Sequence, residues 1–125
     1  MSMFVSNVSD AEKLNFDFEI RKVTYAKLDE AVIDFELKAT YEPYRDTEQG
    51  TKSKSFQARI KTSEIGRIKQ AVEKKKEELN EALNEIKDKI KILLELQKKV
   101  EVNLSSIFDE LFDISKKGFV TEEES

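Results

Sequence analysis

The chain has 125 residues, a length that fits one domain, and carries a net charge of −4 with 38% apolar and 38% charged side chains. It holds no Cys, His or Trp, which removes disulfides, thiolate nucleophiles, the common zinc-ligand sets and the usual neutral-pH general base. No apolar run approaches the ~18–20 residues needed to cross a bilayer, and Met1–Lys13 lacks the form of a secretory signal, so a cytoplasmic protein without a membrane partner is expected.

Charge is distributed unevenly. Residues 1–62 hold 10 basic and 11 acidic groups, residues 63–100 hold 10 and 8, and residues 101–125 hold 2 and 7. The only basic excess is therefore slight, and nucleic acid is not an expected partner.

In chain order, residues 1–13 are polar and largely without period and are read as an N-terminal arm. From Leu14 the pattern has period two, with Leu14, Phe16, Phe18 and Ile20 alternating with polar residues. This is the signature of a half-buried strand. The alternation slips at Arg21–Lys22 and resumes at Val23 and Tyr25, which predicts a β-bulge. A turn at Lys27–Glu30 leads to a second strand with Ala31, Ile33, Phe35, Leu37, Ala39 and Tyr41 on one face. The polar stretch Glu42–Ser55, with the only Pro and a Gly, is expected to be a mobile hairpin loop. A third strand follows, with Phe56, Ala58 and Ile60 facing inward. These strands form a β-meander head over residues 14–61 whose apolar face needs a cover.

The cover is a long amphipathic helix over residues 62–117, with Thr62 or Ser63 as its cap and Glu64 near the positive end of its dipole. Ile65, Val72, Leu79, Ile86, Leu93, Val100, Ile107 and Ile114 recur every seventh residue, and all are apolar. That repeat is coiled-coil-like. The weak helix formers in Val100–Ser106 allow a break near 101–105 into two helices, with Asn103 or Ser105 as the second cap. Lys116, Lys117 and Gly118 form a stop signal, and residues 118–125 are read as a fraying acidic tail. The fold class is α+β: a three-stranded antiparallel meander followed by a long helix or helix pair, in a single domain over 1–125.

The repeat implies a homo-oligomer, a dimer or higher, whose seam is Leu79, Leu83, Ile86, Ile90, Leu93, Val100, Leu104, Ile107, Leu111 and Ile114. The alternative is that the chain covers the seam itself. Gln97 is a polar seam position, read as a register-setting residue or as a water-facing side chain at a bend. Lys69, Lys74–Lys76, Lys87, Lys89 and Lys91 are interleaved with Glu73, Glu77, Glu78, Glu81 and Glu85. With no aromatic residue between Lys61 and Leu104, they read as a solvated helix face, not a phosphate track. Glu77 with Glu81, and Asp109 with Asp113, are acid pairs at helical spacing. Without His, and with no phosphate loop, nucleophile elbow or calcium loop, they are read as surface charges. No catalytic residue, cofactor or metal site is expected.

Candidate partner-binding residues are Tyr41, Tyr44 and Arg45 at the loop base, because aromatics and Arg are enriched in hot spots. Phe108 and Phe112 join them because residues 104–114 are apolar over more than one face. The reading is a non-enzymatic adaptor, inhibitor or assembly factor that oligomerises through its helix and presents the β-head or the 42–55 loop to a protein partner. In its size and Lys/Glu/Ile-rich composition it is similar to accessory proteins of phages and mobile elements. A sheet meander followed by long helices also resembles the export chaperone SecB in fold, which implies a holdase for unfolded chains; that fold has a fourth strand with no counterpart predicted here. Weak nucleic-acid binding along the Lys-bearing helix is the third reading.

Overall fold

The computed structural model describes residues 2–42 and 50–120. In chain order they form β1 (Ser2–Val5), α1 (Val8–Ala11), β2 (Leu14–Lys27), β3 (Glu30–Tyr41), β4 (Thr51–Lys61), a 3-10 segment (Thr62–Arg67), α2 (Ile68–Leu96), β5 (Val100–Asn103) and α3 (Leu104–Lys116). The main sheet is antiparallel with order β2-β3-β4, and β1 pairs with β5 in a separate two-stranded ribbon. The α+β meander and long helix follow from the sequence periods.

Period-two patterning sets the register of the sheet. Ile20 faces Phe35 and Lys22 faces Asp34, so Arg21 is the extra residue at the bulge that the slipped alternation predicts. Leu14, Phe18, Ala31, Ile33, Phe35, Leu37, Ala39, Tyr41 and Ala58 are buried on the inner face. The outer face is polar. Glu19 stands directly opposite Glu36, and the Arg21 guanidinium relieves that like-charge pair by reaching both carboxylates, at 3.3 and 3.4 Å.

Two helices cover the inner face. α2 packs mainly toward β2, and α3 toward β3 and β4. The pair is antiparallel, since the end of α3 lies beside the first half of α2, where Lys75 Nζ donates to the Ile114 carbonyl (2.9 Å) and bonds Glu78 (3.0 Å). Lys75 is buried, and its charge sits at the negative end of α3, where the last carbonyls lack helical partners. At the centre, the Phe18, Phe35, Phe56 and Phe119 rings pack with centroids 4.6 to 6.4 Å apart, and Phe112 meets Phe56 edge-on at 5.7 Å.

Five sequence expectations change. The 1–13 arm is built into the fold: Val5 and Ala11 are fully buried, and β1 pairs with β5 from Ser2↔Asn103 to Val5↔Val100. A partner strand so far away in the chain leaves no local period to detect. The third strand begins at Thr51, five residues earlier than its apolar alternation, so Thr51–Ser55 belongs to β4 and not to the loop. There Lys54 shares the register face of Phe56 and Ala58 but stays exposed, its ammonium 4.8 Å from the Phe112 ring. The rest of the expected loop, 43–49, lies outside the described residues.

Thr62 does not cap the helix. Its hydroxyl donates to the Leu28 carbonyl (3.2 Å) and its N–H to the Asp29 carbonyl (3.0 Å), which ties the 3-10 entry to the β2–β3 turn. The long helix stops at Leu96, earlier than the 101–105 break, and β5 precedes the second helix. Asn103 is the cap there, its Oδ1 accepting from the Ser106 N–H at 3.1 Å. Finally, the chain does not leave the fold at Gly118. That residue takes φ +88°, a left-handed conformation suited to Gly. The Phe119 and Val120 N–H groups then return to the Lys116 carbonyl (3.0 Å each), which swings Phe119 back onto Phe35. Residues 121–125 lie outside the described residues.

Candidate functional site

The expected oligomer seam is largely occupied by this chain. Leu79, Leu83, Ile90, Val100, Leu104, Ile107 and Leu111 are buried in its own core, and Ile86 and Ile114 are half-buried. The meander, α3 and the β1–β5 ribbon supply the facing surface. Of the ten seam residues, Leu93 alone is exposed. Three of the candidate partner-binding residues are also interior: Tyr41, Phe108 and Phe112 are buried, the last two as an edge-on pair at 5.9 Å. Their aromatic area stabilises the core, and in this conformation it is not presented to a partner. Tyr44 and Arg45 lie outside the described residues. Gln97 is exposed at the end of α2 in extended backbone, where the helix gives way to β5.

Of the exposed apolar group at the end of α2, the seam includes only Leu93. In Ile90–Leu96, five of seven residues are apolar: Ile90, Ile92, Leu93, Leu94 and Leu96. At 3.6 residues per turn they occupy more of the helix than one face can bury. Ile90 turns into the core and Leu94 packs against it, while Ile92 (58% exposed), Leu93 (41%) and Leu96 (77%) are left in water. Leu96 lies one turn beyond Ile92 and Leu93, so the three form one patch on the outward side of the last turns of α2. The apolar density of this segment was the signal available in the sequence. Ile92 and Leu96 fall outside the seven-residue repeat, so the repeat does not mark them.

Charge fixes the neighbouring face. The Glu12 carboxylate, at the end of α1, receives the ammonium of Lys91 and lies 3.8 Å from that of Lys87, whose Nζ also donates to the Glu12 carbonyl (3.5 Å). The hydrogen bond from Lys91, then its charge, then Lys87, hold the Glu12 carboxyl below the ordinary carboxylate range. Glu12 in turn raises the Lys91 ammonium above the usual lysine value. These contacts join α1 to α2 one to two turns before the apolar patch. Close by, Phe4 is exposed on the β1–β5 ribbon with the Lys99 ammonium 4.6 Å from its ring centroid.

Among the described residues, no cluster of acids is arranged to hold a metal ion, and no helix is long and apolar enough to cross a membrane. The surface hollow along Lys69, Glu73, Lys74 and Glu77 lies on a single helix face with alternating charge. No protein-family model, curated protein or solved structure matches the chain.

Proposed function

We propose that this protein is a non-enzymatic binding and assembly protein that associates with a second copy of itself through the outward face at the end of α2. The observation that carries the reading is the exposure of Ile92, Leu93 and Leu96 on one helix face. Apolar side chains grouped in this way mark association surfaces more often than single exposed ones. A two-fold pairing buries the same patch on both partners, so a short patch is used twice. The sheet head, on the far side of the core, stays open for another protein. The holdase reading is less well supported, because the two surfaces it needs, the apolar sheet face and residues 104–114, are filled by the chain itself. The nucleic-acid reading loses Lys75 and Lys87 to internal bonds.

Light scattering decides between one copy and more. The wild-type chain at ~100 μM, a concentration that detects dimers of micromolar Kd, is expected above 14.5 kDa. An Ile92→Lys, Leu96→Lys variant is expected at 14.5 kDa with unchanged circular dichroism, since neither side chain belongs to the core. A wild-type mass of 14.5 kDa defeats the proposal.

A further inference from the structure

The two edges of the main sheet differ. β2 has irregularities between Ile20 and Lys22 and between Tyr25 and Lys27, and such bulges discourage the docking of a further strand. β4 keeps one unbroken register with β3 over eleven consecutive pairs, from Lys61↔Glu30 to Thr51↔Thr40. It contains no Pro, and no described strand pairs with its outer side. About half of its main-chain N–H and C=O groups point away from β3 and have no ladder partner among the described residues.

The charge on this edge has one sign. β4 carries Lys52, Lys54, Arg59 and Lys61 and no acid. Alternation places Lys52 and Lys54 on the face shared with Phe56 and Ala58, and Arg59 and Lys61 on the other. The Arg59–Lys61 end is partly neutralised, because Asp29, Glu30 and Glu64 line the same hollow. At the Lys52–Lys54 end no such acid is found among the described residues. Lys116 from α3 joins it there: the Lys54 and Lys116 ammonium groups stand 4.8 and 5.3 Å from the Phe112 ring centroid. None of Lys52, Lys54 and Lys116 forms an ion pair with a described acid.

Lysines on an edge strand ordinarily keep edges apart. What these lysines repel is another basic edge. Two β4 strands brought edge to edge would set a strand with four cations and no acid against another of the same kind. The same arrangement favours an edge of opposite charge. We infer that the outer edge of β4 accepts an extended acidic segment of a protein partner as a fourth strand. The segment's main chain continues the β3–β4 ladder, and its carboxylates meet Lys52, Lys54 and Lys116. This surface is separate from the end of α2, so either interaction can fail without the other.

The test uses the full chain labelled for NMR. The probes are a peptide of about ten alternating Thr and Glu residues, the same peptide N-methylated at every second amide, and an oligothymidylate of similar charge. The alternating peptide is expected to shift amides within Thr51–Lys61 and to slow their hydrogen exchange. N-methylation, which removes ladder donors, is expected to weaken binding by about tenfold or more, and a Lys54→Glu, Lys116→Glu variant by a similar factor. If that variant does not fold, the N-methylated peptide on the wild-type chain still decides. The inference is overturned by absence of binding at roughly 1 mM peptide, by shifts that map away from β4, by equal affinity for the N-methylated peptide, or by the oligothymidylate producing the same shifts. The last result would mean a patch for polyanions in general.

Discussion

Replacing Phe119 by Ala tests whether the chain after α3 is part of the core. The ring lies 4.6 Å from Phe35, 6.2 Å from Phe18 and 6.4 Å from Phe56, and the residue is half-buried. Full burial of a Phe makes truncation to Ala cost about 3–5 kcal/mol, so half-burial gives roughly 1.5–2.5. Loss of the close ring contact with Phe35 adds about 0.5 kcal/mol or more. The expected loss is therefore about 2–3 kcal/mol, a large share of the stability of a small domain. Unfolding entropy for a chain of 125 residues is about 0.26 kcal/mol/K, so a loss of ~2 kcal/mol lowers Tm by roughly 8 °C. Urea unfolding followed by far-UV circular dichroism gives the free energy directly, and an unchanged slope with a lower midpoint identifies a change in stability alone. A loss below about 0.5 kcal/mol, the range of ordinary surface changes, would refute the argument and return Phe119 to a fraying tail.

Asn103→Ala removes the side-chain acceptor of the Ser106 N–H and is expected to cost about 1 kcal/mol in the same urea assay, with Asn103→Ser close to neutral. Lys75→Ala is expected to destabilise more than Lys75→Met: both lose the bonds to Ile114 and Glu78, but Met keeps the buried stem filled. Equal losses would mean that packing of the stem contributes little. The Glu12 clamp sets a pH window. Its carboxyl is lowered, so that contribution is complete above the ordinary 4.5 and is lost as pH falls through the lower folded value. Lys91 is raised, so its contribution is complete below 10.5 and is lost as pH climbs through the higher folded value. Chemical denaturation of wild type and Glu12→Gln should thus differ most between these limits and converge in acid; a difference that stays constant down to about pH 2 contradicts the assignment.

The elements legible in the sequence were those whose partners are near in the chain. The β2–β3 pair is joined by a short turn, and its slipped alternation marked the bulge at Arg21–Lys22, where Arg21 is the extra residue. Asn103 was legible as one of two candidate caps, with Ser105, because capping is a local bond, and the Ser106 N–H selects Asn103. Three features were hidden because their cause is distant. β1 exists because β5 pairs with it across about a hundred residues, Thr51–Ser55 is a strand because Glu36–Thr40 offers it a ladder, and Phe119 is core because a left-handed Gly118 turns it toward Phe35. None of these leaves a period. Polar residues in a strand and an aromatic after a helix stop both look like loop until the partner surface is in place.

The heptad shows the same limit in sharper form. Its seven-residue spacing runs unbroken from Ile65 to Ile114, yet these residues fall in a 3-10 turn, in α2, in the strand β5 and in α3. Val100 is apolar because a strand of the small ribbon buries it, and Ile107 because α3 has its own inward face. The spacing across the break is therefore a coincidence of three elements and not one continuous seam. A repeat states that an apolar stripe must be covered; it does not state by which chain. Here the cover for Leu79, Leu83 and Ile90 is internal, and what remains uncovered is defined by excess. Ile90–Leu96 holds more apolar side chains than its inward face can accept, so the residues outside the stripe, Ile92 and Leu96, carry the argument for association that the stripe no longer can.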